Sequence, residues 1–94
     1  MKFLASWTIQ THHILTAQKR FVEKGGQYGE GVQLLGQWHS ANGVKGWSLV
    51  ESQNAMALSV WLDAWADLLE ITITPVIEAQ EAAGYLANKI KQSS

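Results

Sequence analysis

The first third of the chain changes from a two-residue hydrophobic period to a helical one. Residues 2–9 alternate apolar and polar side chains and are rich in β-formers, which predicts a strand. Residues 11–24 carry apolar side chains three and four positions apart, which predicts a helix with Thr11 as its N-cap. Gly25 and Gly26 follow and predict the end of this helix, because glycine readily adopts the left-handed conformation of a C-cap.

Strand-like and helix-like hydrophobic periods alternate along the rest of the chain. The further predicted elements are strands at residues 32–40, 45–51 and 68–76 and helices at residues 52–67 and 78–91. Ser52 or Asn54 is the predicted N-cap of the second helix. Pro75 predicts an edge strand, where a missing N–H costs little. The order β-α-β-β-α-β plus a C-terminal helix favours one ferredoxin-like α+β domain over residues 1–94, with the first two helices on one face of a four-stranded sheet.

The alternation divides the predicted strands into two faces. The more apolar face is the predicted core beneath the helices and carries Phe3, Ala5, Trp7, Ile9, Val32, Leu34, Trp38, Trp47, Leu49, Leu69, Ile71 and Ile73. The other face carries Leu4, Ser6, Thr8, Leu35, Gln37, His39, Ser48, Val50, Glu70, Thr72, Thr74 and Val76. This second face is too apolar for solvent and too polar for a dry core. It predicts a homodimer that packs sheet against sheet, the alternative being a monomer with a half-hydrated sheet.

The dipeptide Asn42-Gly43 predicts a tight hairpin turn, because both residues tolerate positive φ. Counting outward from a two-residue turn pairs His39 with Gly46, so the imidazole faces a residue without a side chain. Such an open space beside a histidine is what a ligand site needs. The candidate catalytic residue is His39, and the candidate ligand-binding residues are His39, Gln37, Ser48, Trp7 and Trp65. The alternative is a histidine that makes a hydrogen bond within the dimer interface.

The five tryptophans suggest stacking on a flat ligand, although core packing is the simpler explanation for them. Trp38 and Trp47 pair across the predicted hairpin and are expected to lie buried under the helices. Trp61 and Trp65 are four residues apart on a predicted helix. They therefore contact each other and can frame a cavity between helix and sheet.

Composition and charge narrow the classes of partner. The net charge is −1 and the seven Lys and Arg residues are scattered, which argues against a nucleic-acid partner. The absence of cysteine excludes disulfides and thiolate chemistry. No apolar run approaches the roughly 18 residues of a membrane span, and residues 1–9 are too short for a signal peptide. We therefore expect no membrane partner and a cytoplasmic location.

Two side-chain pairs look like metal ligands but are not expected to act as such. His12 and His13 are adjacent, so they point about 100° apart on a helix. Asp63 and Asp67 are four residues apart and are expected to share the solvent face of the second helix. The sequence predicts no metal site and no cofactor.

Four segments of the chain carry a resemblance that covers nearly its whole length. They are MKFLASWTI, GVQLLGQWHS, GWSLVE and WADLLEITITPVIE. The chain resembles a family of small proteins of unknown function from cyanobacteria and proteobacteria, of the dimeric α+β barrel type. The resemblance implies a homodimer but brings no established activity. The wider superfamily includes cofactor-free monooxygenases, haem-degrading enzymes, isomerases and ligand-sensing modules, and likeness of fold is weak support for any one of them.

Three functions are compatible with these observations. The first is a homodimeric module that binds a small molecule or a partner without established catalysis. The second is a small cofactor-free monooxygenase or isomerase that uses His39 beside Trp7, Trp38 or Trp65 on an aromatic substrate. The third is a haem or tetrapyrrole binder with His39 as the axial ligand.

Overall fold

A four-stranded antiparallel sheet with two helices on one face forms the body of the protein, and the computed structural model describes residues 1–93. The elements are β1 (Lys2–Ile9), a 3₁₀ turn (Thr11–His13), α1 (Ile14–Lys24), β2 (Gln33–His39), β3 (Lys45–Glu51), α2 (Ala55–Asp63), β4 (Leu69–Val76) and α3 (Ala79–Ser93). The strand order is β2-β3-β1-β4, so β4 with its Pro75 is an edge strand, as predicted. The predicted ferredoxin-like α+β fold is confirmed.

The helix ends follow the capping residues only in part. The prediction that Thr11 caps α1 is wrong, because a 3₁₀ turn occupies residues 11–13 and the helix begins at Ile14. Its end at Lys24, before Gly25 with φ +67°, matches the prediction. Asn54 caps α2, since its Oδ1 accepts hydrogen bonds from the N–H groups at positions 56 and 57. This helix ends at Asp63, one turn earlier than predicted.

The hairpin register agrees with the sequence, but the face assignment of the hairpin is wrong. His39 pairs with Gly46 and Trp38 with Trp47, as predicted. However, β1 pairs Trp7 with Gly46, so His39 shares the face of Trp7 rather than the opposite one. Trp38 and Trp47 consequently lie on the open face, 55% and 37% exposed. Both faces of this hairpin carry apolar residues, and only its long-range pairing with β1 decides which face the helices cover.

Several other residues of the hairpin lie on the face opposite to the predicted one. The helix-covered face carries Phe3, Ala5, Trp7, Ile9, Gln37, His39, Gly46, Ser48, Val50, Leu69, Ile71 and Ile73. The open face carries Leu4, Ser6, Thr8, Trp38, Trp47, Leu49, Glu70, Thr72, Thr74 and Val76. A β-bulge between Leu34 and Gly36 changes the alternation within β2, so Leu34 pairs with Val50 and Gly36 with Leu49. Val50 and Ser48, predicted on the open face, are buried under the helices.

The turn between β2 and β3 is longer than predicted. The N–H of Gly43 donates to the carbonyl of Ser40 at 2.8 Å, and the N–H of Ser40 donates to the carbonyl of Lys45 at 2.9 Å. Gly43 has φ +74°, whereas Asn42 does not have a positive φ. The side-chain oxygen of Asn42 instead accepts hydrogen bonds from the Ser40 hydroxyl and from the N–H of Val44. A four-residue loop held by this side chain therefore replaces the predicted two-residue turn.

Candidate functional site

A cavity of about 270 Å³ lies between the helices and the covered face of the sheet. Its aromatic walls are Trp7, Phe21, Tyr28, Trp61 and Trp65, and its polar side chains are Gln18, Gln37, His39 and Ser48. Val22 on α1 and His39 on β2 are its exposed members, so the cavity opens between these two elements. All five candidate ligand-binding residues predicted from the sequence line this one cavity. It lies on the face opposite to the one on which the sequence placed His39, Gln37 and Ser48.

His39 is held at the wall of the cavity by aromatic rings. Its ring centroid lies 5.1 Å from that of Trp7, with the planes at 74°, and 4.8 Å from that of Phe21, at 57°. Within residues 1–93 the imidazole makes no hydrogen bond, so both ring nitrogens remain available. The imidazole therefore packs against two rings and has nitrogens that can hydrogen-bond to a bound molecule.

The open space predicted beside His39 is occupied by the indole of Trp7. Gly46 lies directly under this indole, and a Cβ at position 46 would overlap its six-membered ring. Glycine in a strand often marks such a close approach. The prediction that the space above Gly46 is open to a ligand is therefore wrong, and the cavity lies on the far side of the Trp7 ring.

Two indole N–H groups fix the back of the cavity. Nε1 of Trp61 and Nε1 of Trp65 both donate to the carbonyl oxygen of Gly26, at 3.0 and 2.9 Å. The guanidinium of Arg20 lies 5.5 Å from the Trp65 ring centroid, within the range of a cation–π contact. The predicted cavity frame of Trp61 and Trp65 is thus present, and both side chains also belong to the buried core.

Tyr28 is a wall residue that the sequence did not reveal. Its hydroxyl lies 3.2 Å from Oγ of Ser48, and its ring centroid lies 5.0 Å from that of Trp61. Burial raises the pKa of the Tyr28 hydroxyl, and the hydrogen bond with Ser48 opposes that rise. Its place in a glycine-rich loop gives no periodic signal, so only the tertiary structure brings it to the site.

Gln18 and Phe21 complete the wall contributed by α1. Phe21 is one of the apolar side chains spaced three and four positions apart in residues 11–24, but its contact with His39 requires the correct face of β2. The side-chain nitrogen of Gln18 lies 3.3 Å from the carbonyl oxygen of Gly43 and donates to it. This bond links α1 to the hairpin loop, and both residues line the cavity.

The carboxylates and histidines outside the cavity do not gather into a metal site. Within residues 1–93, no group of three His, Asp or Glu side chains is placed to hold a metal ion. Asp67 does not share a helical face with Asp63, because it lies beyond the end of α2 and forms an ion pair with Arg20. None of the helices within residues 1–93 has the length and the hydropathy of a membrane-spanning segment.

Comparison with known proteins supports the fold and the family. A Deinococcus radiodurans protein, whose crystal structure is described as that of a putative antibiotic biosynthesis monooxygenase, is similar to this chain with a TM-score of 0.50 and 17% identity. The match covers 84% of this chain and 95% of that one, and at this identity it shows the fold alone. No curated protein matches the sequence. The family described as domain of unknown function DUF3303 matches residues 1–90. The chain therefore belongs to the DUF3303 family.

Proposed function

We propose that the protein binds a flat, largely apolar small molecule of one or two rings that carries a hydrogen-bonding oxygen. The cavity volume of about 270 Å³ lies just below the roughly 300–1,000 Å³ of pockets for drug-sized ligands. Aromatic rings form most of its wall and stack well on a planar molecule. A ligand of this size and shape fits the space without displacing the core.

The observation that carries this proposal is the available imidazole of His39 in an aromatic wall. A polar group at such a place selects for a ligand with a matching hydrogen-bonding atom. Gln37 lies two residues before His39 on the same face of β2, and its side chain makes no hydrogen bond within residues 1–93. The two side chains together offer donors and acceptors to one oxygen of the ligand.

Calorimetric titration with 2-naphthol and with naphthalene tests the proposal. We expect the wild-type protein to bind 2-naphthol more tightly, by about two- to tenfold, the value of one net hydrogen bond. His39→Ala should abolish this preference and keep the affinity for naphthalene. His12→Ala is the matched control, since it removes an exposed histidine outside the cavity. If neither compound binds, or if both bind equally to the wild type, the proposal is wrong.

The same imidazole supports a second candidate function, proton transfer without a cofactor. A histidine with available nitrogens in a mostly apolar site suits a general base. Both the isomerase and the monooxygenase hypotheses begin with removal of a proton from the substrate. The probe is 2-tetralone, a two-ring ketone, whose hydrogen–deuterium exchange beside the carbonyl can be followed by NMR. Exchange faster with the wild type than with His39→Ala would support this function, and equal rates would exclude it for this probe.

The haem hypothesis fits the cavity poorly. A tetrapyrrole is larger than a two-ring molecule, and the volume of about 270 Å³ is already at the small end for ligand pockets. Axial coordination by His39 would also require the macrocycle to replace the rings of Trp7 and Phe21 that contact this imidazole. Adding haemin should accordingly give no shifted Soret band.

We further propose that the chain forms a homodimer through the open face of the sheet. Trp38 and Trp47 form an exposed cross-strand pair there, beside the half-buried Leu4 and Leu49. The radius of gyration is 16.2 Å, which is larger than the roughly 12 Å of a compact domain of this length. In addition, α3 has no buried residue. A second copy would cover this apolar area, with an interface of about 1,200–2,000 Å² in total.

A further inference from the structure

We infer that Tyr28 is a movable inner wall that sets the length of the ligand admitted to the cavity. The inference rests on the proposed ligand-binding function and extends it to a specificity-determining residue. The inference is based on a difference in attachment. Gly26 and Gly31, at the two ends of the segment 27–30, are fixed by hydrogen bonds to buried side chains, whereas between them, within residues 1–93, only the Tyr28 side chain makes such a bond.

Both ends of this segment are fixed to buried side chains. At one end, the carbonyl of Gly26 accepts hydrogen bonds from the indoles of Trp61 and Trp65. At the other end, the carbonyl of Gly31 accepts a hydrogen bond of 2.7 Å from the hydroxyl of Ser52, a buried residue. These anchors fix the two points about which the segment between them can turn.

The middle of the segment is attached through the side chain of Tyr28. Within residues 1–93, the only side-chain hydrogen bond made by residues 27–30 joins the hydroxyls of Tyr28 and Ser48, and the Tyr28 ring packs against Trp61. Gly29 has φ +72°, and a Cβ there would meet nothing within 4 Å, so no packing holds this point of the chain. The segment can therefore move outward when the Tyr28 side chain leaves its position, without disturbing the sheet or the helices.

The Tyr28 side chain occupies space that a longer ligand would use. Its ring lies against the Trp61 ring, with centroids 5.0 Å apart and planes at 33°, and it lines the cavity. A planar ligand that displaced it could stack on Trp61 in its place. The wall formed by Tyr28 is thus the one that can give way, whereas those formed by Trp61 and Trp65 are fixed by their hydrogen bonds.

The hydroxyl pair indicates how Tyr28 contacts a shorter ligand. Ser48 is 1% exposed, and within residues 1–93 its hydroxyl has no hydrogen-bond partner other than Tyr28. Because a buried hydroxyl keeps its proton in a hydrogen bond, Ser48 is the expected donor. The O–H of Tyr28 is then available to donate to an acceptor in the cavity.

Three variants test separately the effects of the Tyr28 ring, of its hydroxyl and of its position. Tyr28→Ala removes the ring, and Tyr28→Phe removes only the hydrogen bond to Ser48. Gly26→Ala leaves residue 28 unchanged but places a Cβ where the Tyr28 ring now lies, and the backbone at Gly26 does not require glycine because its φ is not positive. Glu30→Ala, an exposed change in the same segment, is the matched control.

The measurement is the ratio of the dissociation constants for 2-naphthol and for its three-ring analogue 2-anthrol. We expect Tyr28→Ala and Gly26→Ala to shift this ratio about tenfold toward 2-anthrol, as expected for four more stacked carbon atoms. Tyr28→Phe should shift it less, and Glu30→Ala should not shift it. Circular dichroism confirms that each variant is folded, and Gly26→Ala and Tyr28→Phe keep the test valid should Tyr28→Ala unfold.

The outcomes distinguish this inference from the proposed function. If both compounds bind and the ratio is the same in all variants, Tyr28 does not set the ligand length, while the proposed function stands. If 2-anthrol binds more tightly, relative to 2-naphthol, to the variants with a displaced or absent ring than to the wild type, the inference is supported. If no variant binds either compound, the proposed function is wrong and this inference falls with it.

Discussion

The indole of Trp7 lies directly over Gly46 and also contacts the imidazole of His39, 5.1 Å away between ring centroids. Gly46 and His39 are themselves opposite each other in the hairpin. The glycine therefore gives the Trp7 ring room to cross β3 and reach His39. In this way Gly46 on β3, which has no side chain, determines where His39 on β2 is held.

Gly46→Ala should destabilise the protein by about 1–3 kcal/mol, as overpacked core substitutions do. The new Cβ overlaps the Trp7 ring, which must move and lose its contact with His39. The free energy of unfolding from urea denaturation measures the loss, and titration with 2-naphthol should show weaker binding in the same variant.

Gly84→Ala is the control for this change. A Cβ at Gly84 on α3 would meet nothing within 4 Å, and its φ is not positive. Alanine there should stabilise the helix by about 0.5–1 kcal/mol. A loss of stability at both positions would show that the Trp7 contact is not the cause.

Trp61→Ala should lower the free energy of unfolding far more than Trp38→Ala does. Trp61 is buried, and its removal should cost about 3–5 kcal/mol of unfolding free energy, as for other large core side chains. Trp38 is 55% exposed, so Trp38→Ala should cost less than about 1 kcal/mol at a concentration where the chain is monomeric. Equal losses in dilute protein would contradict the placement of Trp38 on the open face.

The element order and the hairpin register follow from local sequence. β3 spans Lys45–Glu51 as predicted, because the glycine-containing turn and the alternating side chains specify this strand without help from distant residues. The same information does not specify which face of the hairpin meets the helices. Trp38, Leu49 and Val50 are all large and apolar, and a strand with apolar residues on both sides has no inherent inner face.

The candidate site could be predicted as a set of residues but not as a place. His39, Gln37 and Ser48 share one face by strand periodicity alone, so their proximity follows from the sequence. Their position beneath the helices, in one cavity with Trp7 and Trp65, depends on the pairing of β1 with β3, which joins distant parts of the chain. Tyr28 lies in a loop, where no periodicity indicates direction, and its place in the cavity wall is apparent only from the tertiary structure.

Leu49→Glu should convert a dimer into a monomer. Leu49 lies on the open face next to Trp47, where a carboxylate in a sheet-to-sheet interface would be buried without a partner. Light scattering at tens of micromolar should give twice the chain mass for the wild type and the chain mass for Leu49→Glu. Val60→Glu on the exposed side of α2 is the control and should leave the mass unchanged. A monomeric wild type would contradict the proposed dimer.

The ion pair between Arg20 and Asp67 should make stability depend on pH in the acid range. The guanidinium nitrogens lie 2.9 and 2.8 Å from the two carboxylate oxygens, and this hydrogen bonding holds the pKa of Asp67 below its ordinary value of 3.8. The folded protein therefore binds fewer protons here than the unfolded chain does. The stabilisation is complete above pH 3.8 and is lost as the pH falls through the lower folded-state pKa.

Asp67→Asn should accordingly lower the melting temperature near neutral pH, and the difference from the wild type should shrink as the pH falls below 3.8. Asp63→Asn removes the same charge from an exposed aspartate that makes no ion pair within residues 1–93, and its profile should run parallel to that of the wild type. Should the two variants show the same pH dependence, the effect would come from net charge rather than from the pair with Arg20.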